Sequence, residues 1–323
     1  MPKVSVIIPV YGVEKYIERC ARSLFEQTIR DIEYVFIDDC TKDNSIRILE
    51  RVLLEYPYRV AQVKIIHNKV NKGSAFTRRV GMIAATGDYI IHCDGDDWVV
   101  ADMYESMYNR AVLTDSDVIS CDFIIHNGSS TIKEIKENSG SNIKEYINNL
   151  MVEKAHWSLW NKLFRRSLLE KDIEYPTESV GEDMALVFQL MYFCKSFVHI
   201  STPYYYYYIN GNSLTRNQSD ESLSYKRFCQ TLSNYYIIER FYKLKGCDKE
   251  YKKGLNYLKV RCKSHLDYTK RLNRVYWFRT FPFVEFICIF NSKISNAQRK
   301  YVLINSLNFI YYSIRAFFCV STK

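Results

Sequence analysis

The 323-residue sequence predicts an α/β domain on a mainly parallel sheet, followed by a basic helical extension. Three observations predict it. Short apolar runs alternate with segments of helical periodicity through residues 4–93. Two of those runs end in clustered carboxylates. The charge also changes sign along the chain: residues 221–323 hold 20 Lys and Arg against 6 Asp and Glu, a net of +14, while residues 1–220 hold 25 against 30, a net of −5.

Val4 to Val10 is a continuous, β-branched apolar run, suited to a strand buried on both faces, and Pro9 is expected to end it. From Val13 to Gln27 the residues Tyr16, Ile17, Cys20 and Leu24 recur at helical spacing. Tyr34 to Ile37 reads as a second buried strand and runs into Asp38-Asp39. Ser45 to Glu55 reads as a helix, with Pro57 beyond its end. Val63 to Ile66 is a third strand, residues 74–85 a third helix with Gly87 past its end, and Tyr89 to Cys93 a fourth strand. That strand breaks into Asp94-Gly95-Asp96-Asp97. Tyr204 to Tyr208 reads as a strand with one buried face, and helical patterns dominate after about residue 219.

At 47% hydrophobic, the chain can bury a large core and is long enough for a domain plus an extension. Met1-Pro2-Lys3 leads straight into the first strand, without a charged n-region and cleavage site. Its 10 Cys are scattered, with no Cys-x-x-Cys pair, which argues against a zinc module or disulfide framework and for reduced thiols in a cytoplasmic protein. Neither Gly-x-Gly-x-x-Gly nor a P-loop follows the first strand, so a dinucleotide oxidoreductase or P-loop reading is disfavoured.

The acids carry the functional signal. Open α/β sheets bind ligands outside the carboxyl ends of their strands, where both acidic clusters are predicted to lie. Clustered carboxylates repel one another unless a cation sits among them, and hard oxygen ligands suit Mg²⁺ or Mn²⁺ shared with substrate phosphates. A third pair, Glu182-Asp183, follows Gly181 and opens an amphipathic helix, where ordinary dipole stabilisation is the competing explanation.

Five segments in order resemble the inverting family 2 glycosyltransferases. They are Val4-Ser5-Val6-Ile7-Ile8-Pro9-Val10-Tyr11, Ile37 to Ser45, Asn71-Lys72-Gly73 with Arg78-Arg79-Val80-Gly81, Asp94-Gly95-Asp96, and Gly181-Glu182-Asp183. Cys40 stands where the family usually has Gly, and Thr77 and Arg79 replace its Ala and Asn. Leu159-Trp160-Asn161-Lys162-Leu163-Phe164 and Tyr206-Tyr207-Tyr208…Ser213-Leu214-Thr215 further resemble capsular, exopolysaccharide and lipopolysaccharide enzymes of bacteria. The resemblance covers about residues 3–215.

It implies a GT-A fold: a Rossmann-like mixed sheet forming a catalytic domain over 1–218, with a helical extension over 219–323. The implied activity is metal-dependent transfer of a hexose or N-acetylhexosamine from a UDP-sugar to a glycan hydroxyl, with Mn²⁺ or Mg²⁺ on the diphosphate. Asp96 is the implied direct metal ligand, and Asp94 contacts the ribose or the metal through water. Asp39 would bind the uracil edge with Asp38 in support. Gly73 and Arg78 would flank base or diphosphate, and Tyr11 would pack on the nucleoside. Asp183 matches the acceptor-side base, with Glu182 positioning it or binding acceptor hydroxyls.

Other residues read more plainly. His92 is expected to be packed and hydrogen-bonded, and Trp98 to be core. Asp97 is read as a cap of the following loop, His156 and Trp157 as structural or cleft-lining, and Lys162 equally as a phosphate contact or a solvated lysine. Residues 276–290 and 301–320 are aromatic and apolar without forming a clean span. With the +14 flank they suggest interfacial helices on the inner face of the cell membrane, suiting a polyprenyl-diphosphate-linked acceptor, and no nucleic-acid partner. The alternatives are a nucleotidyl or sugar-phosphate transferase, which has no need of the Glu-Asp pair, and a non-catalytic membrane- or nucleic-acid-binding protein, which would leave Asp39, Asp96 and Asp183 idle.

Overall fold

The computed structural model describes residues 2–209 and 221–320. The expected segment Ser213-Leu214-Thr215 and the expected boundary at 218/219 lie outside the described residues. The first half runs β1 (Val4–Val10), α1 (Ile17–Phe25), β2 (Ile32–Asp38), α2 (Ser45–Leu54), β3 (Val63–His67), α3 (Ser74–Ala84), β4 (Tyr89–His92) and β5 (Trp98–Val99). It continues through α4 (Met103–Leu113), β6 (Val118–His126), β7 (Thr131–Ile135), α5 (Ile143–Met151), β8 (Lys162–Arg165), α6 (Glu182–Phe193) and β9 (Phe197–Tyr208). The strands form one mixed sheet in the order β3-β2-β1-β4-β8-β6-β9-β5, with β7 paired to β6.

Strands β1 to β4 pair in parallel, whereas β8 runs antiparallel to both β4 and β6. Alternate residues of the inner strands feed two cores. Val6, Ile8, Val10, Tyr34 and Phe36 pack under α1, α2 and α4; Ile7, Val35 and Ile37 pack with α3, α5 and α6 on the other face. Burial on both faces is why these strands are continuously apolar instead of alternating.

Two expectations shift. Pro9 does not end β1, because it pairs with Ile37 within the strand. The Ile7 carbonyl accepts from Cys93 beside β4, and that of Val10 accepts from Asp39 beside β2. Pro9 shares the parity of Ile7, so its missing N–H would point towards β4, whose pairing stops at His92. The first helix starts four residues late. The N–H groups of Gly12, Val13 and Glu14 are taken by the side chains of Thr41, Ser45 and Asp43, which hold this stretch as a turn.

The C-terminal part is helical as expected: α7 (Glu221–Leu244), α8 (Lys252–Lys263), α9 (Arg271–Arg279), α10 (Val284–Ile289) and α11 (Asn296–Val320). Tyr235, Ile238 and Tyr242 of α7 and Leu255, Leu258 and Cys262 of α8 join the core of α5 and α6. No helix among the described residues is long and apolar enough to cross a membrane.

Candidate active site

The chain leaves β1 towards one edge of the sheet through β2 and β3, then returns to the other side of β1 with β4. That reversal is the switch point at which open α/β sheets bind ligands. The ends of β2, β1 and β4 therefore lie side by side and present Asp38 and Asp39, Tyr11, and Asp94 to Asp96.

Tyr11 is 53% exposed just past β1 and is free to stack on a ligand. Asp38 and Asp39 are buried and already bonded. Thr41 N–H donates to Asp38 Oδ1 at 2.8 Å, and His67 Nδ1 lies 2.9 Å from its Oδ2. Asp39 Oδ1 accepts from Lys72 N–H and Asn68 Nδ2, each at 2.9 Å, and Oδ2 from Gly73 N–H at 2.8 Å. Asp39 thus ties the end of β2 to the turn before α3. Gly73 sits at φ +83°, a conformation that strains any side chain, and a Cβ there would fall 2.4 Å from Ser179 Oγ, which would have to turn away.

Arg78 on α3 is the hub. Its side chain is 6% exposed and its Nη2 donates to Asp94 Oδ1 at 2.7 Å. Its Nε lies 3.5 Å from Glu182 and 3.6 Å from Asp183 Oδ1. One guanidinium therefore joins the acid of the β4 loop to the acids that open α6. Burial works against its charge, but Asp94, Asp183 and Glu182 together outweigh that and hold it protonated. His92, fully buried in β4, sits with Nδ1 3.3 Å from Arg78 Nη1. Burial, with Arg78 beside it, pushes its pKa well down, so it is a neutral acceptor.

Ser74 Oγ donates to Glu182 at 2.7 Å, and Leu159 N–H to Asp183 Oδ2 at 3.3 Å. Asp183 Oδ1 is buried without a hydrogen-bond donor. Burial, then the charge of Asp183, raises Glu182 to about 7; burial, opposed by Arg78, also raises Asp183. Burial thus makes both neighbouring carboxyls weaker acids than usual, which suits the pair to proton transfer.

Among the described residues, no three His, Cys, Asp or Glu side chains are grouped to hold a metal ion. A divalent cation shared with a diphosphate needs only one or two carboxylates, and the half-buried Asp94 and Asp96, flanking Gly95, could supply that hard-oxygen pair, with Asp94 Oδ1 already held by Arg78. Asp97 stands apart from them. It is fully buried, accepts from Tyr205 Oη–H at 2.6 Å and Tyr208 N–H at 2.7 Å, and fastens β9 beneath the loop instead of capping the loop.

A family model for glycosyl transferase family 2 matches residues 5–173. The chain belongs to that family. This glycosyltransferase is 31% identical to EpsH of Bacillus subtilis over 79% of its own length and 73% of EpsH. It is 29% identical to the cholesterol galactosyltransferase of Borreliella burgdorferi, over 78% of this chain and 72% of that one. Among solved structures, S. aureus TarS 1–349 in complex with UDP-GlcNAc matches with a TM-score of 0.57 at 18% identity, over 92% of this chain and 90% of that one. The mannosyltransferase PcManGT of Pyrobaculum calidifontis, in complex with GDP-Man and Mn²⁺, matches with a TM-score of 0.57 at 14% identity, over 97% and 86%. The fold is GT-A, a Rossmann-like mixed sheet with a C-terminal helical extension.

Sequence reasoning missed two parts of the glycosyltransferase site. Ser74 as partner of Glu182 left no signal, being one polar residue at a helix start. Lys162 was expected at a phosphate or in solvent; it is instead fully buried, 3.7 Å from Glu137. Glu137 lies in a polar stretch without periodicity, so nothing in its neighbourhood marked it as interior. His156 lies edge-on to Phe123, and Trp98 stacks on Tyr206, with the Arg19 guanidinium 3.7 Å from its ring centroid. Tyr205 and Tyr207 of β9 stack on Trp160, and Tyr206 and Tyr208 lie against Trp98 and Tyr16, so both faces of the tyrosine run are used.

Proposed function

We propose that the protein is an inverting, metal-dependent transferase that moves a hexose or N-acetylhexosamine from a UDP-sugar to a hydroxyl of a growing glycan. The observation that carries this reading is Arg78, which holds the donor-side Asp94 and the acceptor-side Glu182 and Asp183 around one buried guanidinium. Bond breaking at the anomeric carbon and deprotonation of the attacking hydroxyl must occur together, and this links the groups for both.

Asp96, with Asp94, would hold Mn²⁺ or Mg²⁺, which when bound offsets charge gathering on the departing diphosphate. Tyr11 would stack on the nucleoside, while Asp38, Asp39 and Gly73 shape the pocket for its base. Arg78 places a fixed positive charge beside the same region. Asp183 Oδ1 would take the proton of the acceptor hydroxyl, because no donor among the described residues occupies it and burial makes Asp183 a stronger base than an ordinary carboxylate. A polyprenyl-diphosphate-linked acceptor at the inner face of the cell membrane fits the apolar, basic C-terminal helices.

The preference for uridine rests on the resemblance around Asp38 and Asp39. The fold neighbours hold UDP-GlcNAc in one case and GDP-Man in the other, so the test includes both bases. Release of nucleoside diphosphate from UDP-glucose, UDP-galactose, their N-acetyl forms and GDP-mannose is measured with Mn²⁺, Mg²⁺ or chelator, with and without membrane lipid extract. Metal-dependent UDP release from one donor is expected. Asp96→Ala should lose the metal response, and Asp183→Asn should keep donor affinity but lose turnover by about a hundredfold or more. Wild-type turnover in Asp183→Asn would overturn the assignment of the base.

A further inference from the structure

The segment Leu159 to Phe164 stands out in the sequence, yet the site described above uses only one atom of it, the Leu159 N–H. The rest surrounds a buried ion cluster. Lys162 has no exposed side-chain surface, which is rare for lysine unless it is paired. Its three ammonium donors are matched by three oxygens: the His156 carbonyl, the Ser158 carbonyl at 3.2 Å and Asn161 Oδ1 at 2.8 Å. Glu137, equally buried, accepts through Oε1 from His156 N–H and Asn161 Nδ2, each at 2.9 Å, and through Oε2 from Tyr146 Oη–H at 2.8 Å. His156 is therefore gripped twice, its N–H by the anion and its C=O by the cation. Asn161 bridges the two charges, and Ser158 Oγ donates to Asn161 Oδ1 at 2.9 Å.

Burying two charges costs several kcal/mol per ion before their attraction is counted, and an apolar pair of similar volume is often no less stable. Stability alone therefore does not account for the cluster. What it fixes is the course of residues 156–161, and that stretch delivers the one backbone donor to the Asp183 carboxylate among the described residues. We propose that the Lys162–Glu137–Asn161 cluster is a positioning device for Asp183, fixing the loop that holds the carboxylate. This rests on the reading of Asp183 as the acceptor-side base. The charges facing that carboxylate are Arg78 from α3, Asp94 from the β4 loop and Lys162 from β8, with Glu182 beside it on α6. Burial lowers the Lys162 pKa while Glu137 and Asp183 favour its charged form.

The test removes both charges together, since Lys162→Met alone would strand Glu137. The Lys162→Met/Glu137→Gln variant is compared with wild type by thermal unfolding and by affinity for UDP and GDP with Mn²⁺. The pH midpoint of Asp183 modification by carbodiimide and glycinamide, read by peptide mass spectrometry, is compared as well, together with turnover in nucleoside diphosphate release. The variant should fold and keep nucleotide affinity within about twofold, as the cluster touches none of the donor-side residues. Releasing the loop weakens the Leu159 N–H bond that favours the ionised carboxylate, so the Asp183 midpoint should rise, by about half a pH unit or more. Turnover should fall about tenfold or more through misplacement of the base. If the double variant does not fold, Asn161→Ala keeps the ion pair and should give the same changes at smaller size. A folded variant with wild-type midpoint and turnover overturns the proposal. Retained turnover in Asp183→Asn, which leaves the cluster intact, would instead sink the base assignment, so the two failures are told apart.

Discussion

Cys40 adopts a conformation that its side chain resists. It sits at φ +58°, directly after Asp39, in the left-handed region that Gly enters freely. The family resemblance has Gly at this position, and the backbone of the turn has kept the shape that Gly would take. The strain of a left-handed L-residue is about 1 kcal/mol, part of which Gly returns by being freer in the unfolded chain. Cys40→Gly should therefore stabilise the protein modestly, by up to about 1 kcal/mol in urea unfolding, with nucleotide affinity unchanged. A loss of stability would mean that the thiol makes a contact worth more than the strain. At this scale the acids were legible in the sequence, because Asp38-Asp39, Asp94-Gly95-Asp96 and Glu182-Asp183 are polar clusters beside apolar runs. Their partners were not. Glu137 lies 25 residues before Lys162 in the chain, and only the pairing of β6 with β7 and β8 brings their surroundings together.

The elements of the first half were legible because β1, β2 and β4 are buried on both faces and the helices between them on one, which produces distinct apolar periods. Their ends were less so. The start of α1 depends on Thr41, Asp43 and Ser45, side chains from the next β–α connection that no local pattern around residue 13 can report. Helix α3 shows how closely element packing and sequence are tied. At Gly81 an added Cβ would lie 2.3 Å from Ile7 Cγ2 and 2.7 Å from Ile37 Cδ1, so α3 rests directly on β1 and β2. Neither side chain can retreat within a packed sheet. Gly81→Ala should therefore destabilise by about 1–3 kcal/mol even though Ala is the better helix former. Because α3 carries Arg78 three residues earlier, the same variant should lower nucleoside diphosphate release more than its stability loss alone predicts. Unchanged unfolding and turnover would show that α3 can shift outward without cost, and would separate the placement of Arg78 from the sheet contact.

Across the whole molecule, the sign change in charge coincides with a change in surface. Exposed apolar side chains gather on the last helices: Phe283, Phe286, Ile287 and Phe290 around α10, and Leu303, Ile304, Leu307, Ile310, Tyr311 and Ile314 on α11. On α11 these recur at helical spacing opposite the buried Val302 and Phe309, so the helix is apolar towards the protein and towards solvent. Arg271, Arg279, Lys293, Lys300 and Arg315 are exposed on α9, on α11 and in the connection before α11, while Glu285, the acid within residues 271–320, is buried against Lys263. If the outward apolar stripe and the exposed bases act together, with no helix among the described residues able to span, the surface they suit is an anionic bilayer. Flotation of the full chain with phosphatidylglycerol–phosphatidylcholine vesicles should carry it upward, and phosphatidylcholine alone should do so weakly. Salt should reduce the difference between the two. Leu307→Asp with Ile314→Asp should weaken vesicle binding about tenfold or more while leaving metal-dependent donor hydrolysis in solution intact. If the protein never floats and instead sediments as a dimer that these substitutions dissociate, the face belongs to a second copy of the chain. The acceptor would then have to reach Asp183 without the enzyme resting on its membrane.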